Sequence, residues 1–384
     1  MQVFNQRINQ VLDTRRQQGL TRRLLPVQGG NQQFLSDGNH QSVNFSSNNY
    51  LGLAHEPEVI RAWQQGLEHY GAGSGASPLV TGYSAAHRQL ENDLCHWLNF
   101  ERAILFNSGF SANQALVFAL LEKGDVIFQD KLNHASLMEA ALLSPATLKR
   151  FAHNDVADLM KKLSMTSAPS MVVTEGVFSM DGDMAPLKEM RSQIGNKALF
   201  AVDDAHGVGV IGQDGRGSCD FAGIQPNILI VTFGKALGIS GAAIMCDRTL
   251  GDYLTQTARH FVYSTAMPPA QAHALSFAIK KVKDEVWRRE KLQELSEYYD
   301  RCMADFPGYC QTPTSIKPFI IGESEEALNC AEFMKSRGVW LSAIRAPTVA
   351  RNSARLRVTL TTLHDKDHID LLAENIETWL ETRA

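Results

Sequence analysis

Between Phe100 and Cys246 the chain alternates short apolar runs with helix-like stretches, and this alternation narrows the available folds more than any other feature. RAILF is followed by SANQALVFALLE, DVIF by HASLMEAALL and MVVTEGVF by PLKEMRSQI; ALFAV, ILIVTF and AAIMC complete the series. Such a pattern predicts a mostly parallel sheet with helices on both faces. Ligands of open α/β sheets bind beyond the carboxyl ends of the strands. The residues expected there are SGF (108–110), NHAS (133–136), TEG (174–176), DDAHG (203–207) and TFGK (232–235).

With 384 residues the chain is too long for one ordinary core. After about Gln271 a long charged helical stretch, IKKVKDEVWRREKLQELSEYYDRC, leads to strand-like IKPFII, VWLSAI and RLRVTL, which predicts a second, smaller α+β lobe. The N-terminal segment holds too little apolar material for its own core. Val3, Phe4, Ile8, Val11 and Leu12 space it as an amphipathic helix, not as a signal peptide. We therefore expect a helical arm over 1–47, a large α/β domain over 48–275 and a small α+β domain over 276–384.

Several function classes are disfavoured. Net charge is −4, with no basic run to track a phosphate backbone, so nucleic acid is not an expected partner. No apolar run reaches the roughly 18 residues of a membrane span. The six cysteines show neither CxxC pairs nor ligand-like spacing, which disfavours disulfides and zinc and suits a reducing cytoplasm. GAGSGA (71–76) fits the loose dinucleotide-binding pattern of a nicotinamide-dependent dehydrogenase. That fingerprint belongs between a strand and a helix, however, and RAWQQGLEHY before Gly71 reads as helix.

The chemistry concentrates elsewhere. SGFSAN after RAILF is a tight turn opening a helix, whose first amides lack internal partners and can hold a phosphate. Asp203 ends ALFAV, and Lys235 stands after ILIVTF among glycines and alanines. Alone, Ser108 could be a simple N-cap, Asp203 a turn former and Lys235 a surface residue. Together they are the parts pyridoxal phosphate needs: a phosphate cradle, a carboxylate for the ring nitrogen and an amine for the aldehyde. A neutral lysine at pH 7 requires a shift of roughly three units, about 4 kcal/mol, and burial among small residues works in that direction.

At this point the chain resembles the α-oxoamine synthases, pyridoxal-phosphate enzymes that condense an amino acid with an acyl thioester. NFSSNNYLGL, FNSGFSAN, DKLNHASL, VVTEGVFSMDGDMAPL, VDDAHGVGVIGQDGRG and VTFGKALGISGAA resemble the family's successive blocks in order, over nearly the whole length. KRFAHND, FVYSTAMPPAQA and AIRAPTV with ARLRVTLT are most similar to the members that join L-alanine to a pimeloyl thioester. Glycine with acetyl-CoA or with succinyl-CoA remains an alternative pair.

The resemblance implies the fold type I architecture of pyridoxal-phosphate transferases (aspartate aminotransferase-like) and a homodimer with shared active sites. By it, Lys235 would hold the cofactor's aldehyde and transfer protons, Asp203 would pair with the ring nitrogen, and His134 would stack on the ring. His206 would bond the ring hydroxyl, and Ser179 would lie beside the cofactor. Ser108, Gly109, Phe110, Thr232 and a partner subunit's Thr265 would hold the phosphate. Asn48 and Arg357 would meet the amino acid, and Arg22 would guide an acyl group carried by coenzyme A or an acyl carrier protein. Two departures from the family pattern are Pro78 in ASPLVTG, which stiffens that loop, and Ala346 in AIRAPT.

Overall fold

The computed structural model describes residues 1–38 and 40–383. Its centre is a seven-stranded sheet in the order 102–106, 242–246, 228–232, 199–203, 170–175, 126–130, 147–151. Every neighbouring pair is parallel except the two that strand Ala242–Cys246 makes, so the mixed sheet is mostly parallel, as the apolar runs predict. Val172, Ile230, Ala243 and Ile244 are fully buried, because helices cover both faces. The strand Thr147–Phe151 was not legible in the sequence. It occupies the sheet edge, where Lys149 and Arg150 are needed against solvent and break the apolar run.

Two other readings are refined. The long charged stretch belongs to two helices, Pro269–Asp284 and Trp287–Met303, interrupted at Glu285 and Val286. Beside the break, Arg288 donates to Glu56 at 2.6 Å and to the Leu51 carbonyl at 2.7 Å, tying the second helix to the segment that precedes helix Pro57–Tyr70. VWLSAI is two strands that join different sheets: Val339–Trp340 pairs with Gln41–Asn44, and Ser342–Ile344 pairs with Ala354–Thr359. A third apolar cluster therefore combines Val43 and Phe45 with Tyr299, Phe319, Leu356 and Ile369.

Helix Gln2–Gln17 buries none of its residues, and Val3, Phe4, Ile8, Val11 and Leu12 are all exposed. Among the described residues no helix is long and apolar enough to cross a membrane.

Candidate active site

Six parallel strands bring their carboxyl ends to one side of the sheet. Beyond strand Ile228–Thr232 the chain turns back, with the Phe233 amide donating to the Gly241 carbonyl at 2.9 Å and the Gly238 amide donating to that of Lys235 at 3.0 Å. Gly238 has φ 70°, and a Cβ there would lie 2.4 Å from the Ala54 nitrogen, so only glycine closes this turn. The turn holds Lys235 half-buried over the sheet end. Among the described residues it forms no ion pair. Burial pushes its amine below the usual lysine value, against the pull of Asp203 and Glu175.

Asp203 ends the neighbouring strand and is buried. Its Oδ2 accepts from Asn113 Nδ2 at 2.8 Å and its Oδ1 from the Ala205 amide at 3.1 Å. Glu175 ends the next strand, equally buried, and accepts the His134 amide. Burial first and Asp203 second push Glu175 well above the usual carboxylate range.

These groups surround a cavity of about 190 Å³, also lined by Gly109, Phe110, His134, His206 and Thr232. Helix Gly109–Leu120 points its N-terminus into it, capped by Ser108, whose Oγ accepts the Ser111 amide at 3.1 Å. A Cβ on Gly109 would come 2.6 Å from Thr232 Oγ1, so the missing side chain lets backbone and hydroxyl line one cradle. His206 is buried, its Nδ1 2.6 Å from Tyr50 Oη, and burial, then Lys235 and Arg357, hold it well below the usual histidine value. The donor set fits pyridoxal phosphate: an amine depressed by burial, a carboxylate across from it and an anion cradle at a helix start.

Arg357, buried on strand Ala354–Thr359, donates to the Ser179 carbonyl at 2.6 Å, Thr359 Oγ1 at 2.8 Å and Asn48 Oδ1 at 3.1 Å. No carboxylate among the described residues pairs with it. A buried guanidinium left in that state has the charge and fork geometry to accept a ligand's carboxylate. Tyr50 Oη, 3.5 Å from Asn48 Oδ1, links this group to His206.

The other sequence candidates lie further out. Ser179 reaches the network through its carbonyl, and the Thr265 carbonyl accepts Asn107 Nδ2 at 3.0 Å within the same chain. Arg22 lines a separate pocket with Arg15, Arg345 and Thr348. Glu175, Asn113, Ser136 and Tyr50 were not singled out beforehand, although TEG, SGFSAN, NHAS and NNYLGL contain them. GAGSGA follows helix Pro57–Tyr70, not a strand, so its glycines do not form a dinucleotide turn. A separate cleft of about 530 Å³, lined by Val210, Phe221, Glu297 and Thr312 among others, contains none of the groups gathered around Lys235.

The profile of the family described as aminotransferase class I and II matches residues 40–376. An 8-amino-7-oxononanoate synthase of Vibrio atlanticus is 58% identical over 377 residues, covering 98% of this chain and 93% of that protein. That of Vibrio cholerae is 55% identical over 378 residues and covers 98% of each. Among solved structures, a serine palmitoyltransferase of Sphingomonas wittichii superposes with a TM-score of 0.91 at 26% identity, covering 99% of this chain and 97% of that one.

Proposed function

The chain belongs to the aminotransferase class I and II family, and from that premise we propose how its residues work as those of an 8-amino-7-oxononanoate synthase. The enzyme is a pyridoxal-phosphate-dependent acyltransferase of biotin biosynthesis. It condenses L-alanine with a pimeloyl thioester and releases carbon dioxide and free thiol. When bound, pyridoxal phosphate supplies an aldehyde for the amino group and a ring that draws electrons from the α-carbon.

The observation that carries the residue assignment is one cavity with Lys235 and Asp203 at neighbouring strand ends, beside the unpaired guanidinium of Arg357. Lys235 is the residue to hold the aldehyde, and its depressed pKa lets the freed Nζ take the α-proton of alanine. Asp203, kept in place by Asn113, holds the proton on the ring nitrogen. His206, steadied by Tyr50, orients the ring hydroxyl, and His134 covers the ring face. Gly109, Phe110 and Thr232 form the phosphate cradle behind the Ser108 cap, with Thr265 of a second subunit completing it. Arg357, fixed by Asn48 and the Ser179 carbonyl, grips the alanine carboxylate. Because that carboxylate departs as carbon dioxide, a neutral amide and a carbonyl are better neighbours for Arg357 than a second carboxylate, which would compete for it.

Arg22 receives the acyl chain, presented on coenzyme A or on an acyl carrier protein. A cytoplasmic homodimer is part of the same reading, supported by the exposed apolar side chains of the arm and by the unpaired cysteines. So is the division at 47 and 275, except that Gln41–Asn44 pairs with Val339–Trp340 and so belongs with the smaller unit, and that helix Pro269–Asp284 runs unbroken across 275 and keeps its residues to 284 with the large one.

The deciding experiment is turnover of the purified enzyme on alanine or glycine with pimeloyl-CoA, acetyl-CoA or succinyl-CoA. Alanine with pimeloyl-CoA is expected to be fastest. A preference for glycine with acetyl-CoA or succinyl-CoA would overturn the substrate assignment. Borohydride reduction with peptide mapping should place the cofactor on Lys235.

A further inference from the structure

His134 is the N-cap of helix Ala135–Leu143, and its Nδ1 lies 2.8 Å from Ser136 Oγ and 3.3 Å from the Ser136 amide. Ser136 Oγ is also 2.9 Å from Asn113 Nδ2, and the same nitrogen is 2.8 Å from Asp203 Oδ2. Asn113 and Ser136 are both 1% exposed, so no bulk water competes for the contacts among Asp203, Asn113 and Ser136, while the His134 ring at the end of the chain is open to the cavity.

The direction of each hydrogen bond follows from what the groups can donate. An amide nitrogen has two hydrogens, and Asn113 gives one to Asp203 and one to Ser136. The reverse orientation would set Asn113 Oδ1 against the Asp203 carboxylate. Oδ1 has no donor among the described residues, so the fold leaves one polar atom unmet in order to aim the two hydrogens. Having accepted from Asn113, the Ser136 hydroxyl turns its single hydrogen to His134 Nδ1. The Ser136 amide points at the same nitrogen. Nδ1 therefore presents a lone pair, and the hydrogen of the neutral ring resides on Nε2, for which no partner exists among the described residues.

Building on the proposed role of His134 over the cofactor ring, we infer that Asn113 and Ser136 are positioning residues: they pass the orientation of Asp203 to His134 and fix it as the neutral, Nε2-protonated tautomer facing the cavity. One amide thereby sets two groups at once, the carboxylate meant for the ring nitrogen and the imidazole meant for the ring face. The titratable groups around His134 are Asp203, Lys235 and Glu175 from the three strand ends and His206 across the cavity. Burial and the Lys235 charge hold its pKa below the usual value, while Asp203 opposes them. A hydroxyl donating to Nδ1 adds to the first two, since it favours the neutral ring.

The test is long-range proton–nitrogen NMR of the holoenzyme labelled with nitrogen-15 at histidine, with His134→Gln identifying the signal by its loss. The wild-type spectrum should show the Nε2-protonated ring at about pH 7. Ser136→Ala should raise the protonation midpoint by at least about half a unit towards 6.5 and admit the Nδ1 tautomer. Ser136→Thr, which keeps the hydroxyl, should restore the wild-type signature, and Asn113→Ala should weaken it. A charged or Nδ1-protonated ring in the wild type would refute the inference without any variant, as would a Ser136→Ala spectrum identical to wild type from about pH 5.5 to 8. The spectrum reports the tautomer whatever the thioester, so this result is independent of the turnover experiment.

Discussion

Glu175 and Asp203 are register partners at the carboxyl ends of adjacent parallel strands, two buried carboxyl groups facing one lysine. Burial, with the charge of Asp203 second, lifts Glu175 well above the usual carboxylate range. The unfolded chain ionises near its ordinary value of about 4.3, while the folded one holds its proton to higher pH. Glu175 therefore destabilises the fold increasingly as pH rises above that value. Glu175→Gln still offers an oxygen to the His134 amide and removes this penalty. Denaturant unfolding of the cofactor-free protein should show the variant gaining about 1 kcal/mol or more at pH 8 relative to its effect at pH 5. An equal effect at both pH values would show that Glu175 is ionised in the fold.

Arg357→Lys keeps the charge and loses the planar fork that matches a carboxylate. The KM for alanine should rise at least about tenfold, the loss of one charge-assisted hydrogen bond. The visible spectrum of the bound cofactor should not change, because lysine keeps the positive charge that Arg357 places near Lys235 and His206. An unaltered alanine KM, with a raised KM for the thioester, would assign Arg357 to the acyl substrate.

The sequence revealed the sheet because its strands are buried on both faces and therefore read as unbroken apolar runs. Thr147–Phe151 escaped for the opposite reason, as an edge strand carrying Lys149 and Arg150. Lys235, Asp203 and Gly109 were legible because each sits within a few residues of a strand end. Asn113 and Ser136 were not, since their importance lies in contacts to Asp203 and to each other across 90 and 23 residues of sequence. Glu175 likewise ends a strand as visible as the others. Its partner is a backbone amide of the NHAS segment, and backbone partners leave no mark on side-chain pattern.

Gly109→Ala separates cofactor binding from helix stability. Alanine is favoured over glycine by roughly 0.5–1 kcal/mol in a helix interior, and by less at this first helical position. Its methyl would nevertheless meet Thr232 Oγ1 at 2.6 Å, where the phosphate cradle is placed. Equilibrium dialysis should show pyridoxal-phosphate affinity falling at least about tenfold, while thermal stability of the cofactor-free protein stays level or rises. Undiminished affinity would remove Gly109 from the cradle.

The imidazole of His153 bridges two carboxylates, with Nδ1 2.9 Å from Asp130 Oδ1 and Nε2 2.7 Å from Asp183 Oδ2. Burial works against its charge, but the hydrogen bonds and charges of the two carboxylates outweigh it and lift the pKa to about 10. Both nitrogens therefore donate at neutral pH. The clamp joins the strand end before NHAS to the loop that holds Asp181 against Arg355 and the Ser179 carbonyl against Arg357. Since the folded value exceeds the unfolded one of about 6.5, the stabilisation is complete below 6.5 and disappears as pH rises through 10. His153→Gln should destabilise by roughly 2–3 kcal/mol at pH 6, because Asp130 stays buried without its cation. That difference should shrink steadily towards pH 10 in denaturant unfolding of wild type and variant side by side. A difference that is constant from pH 6 to 10 would mean that His153 is neutral, and that its edge contact with Phe178, 4.4 Å between centroids, is what the substitution removes.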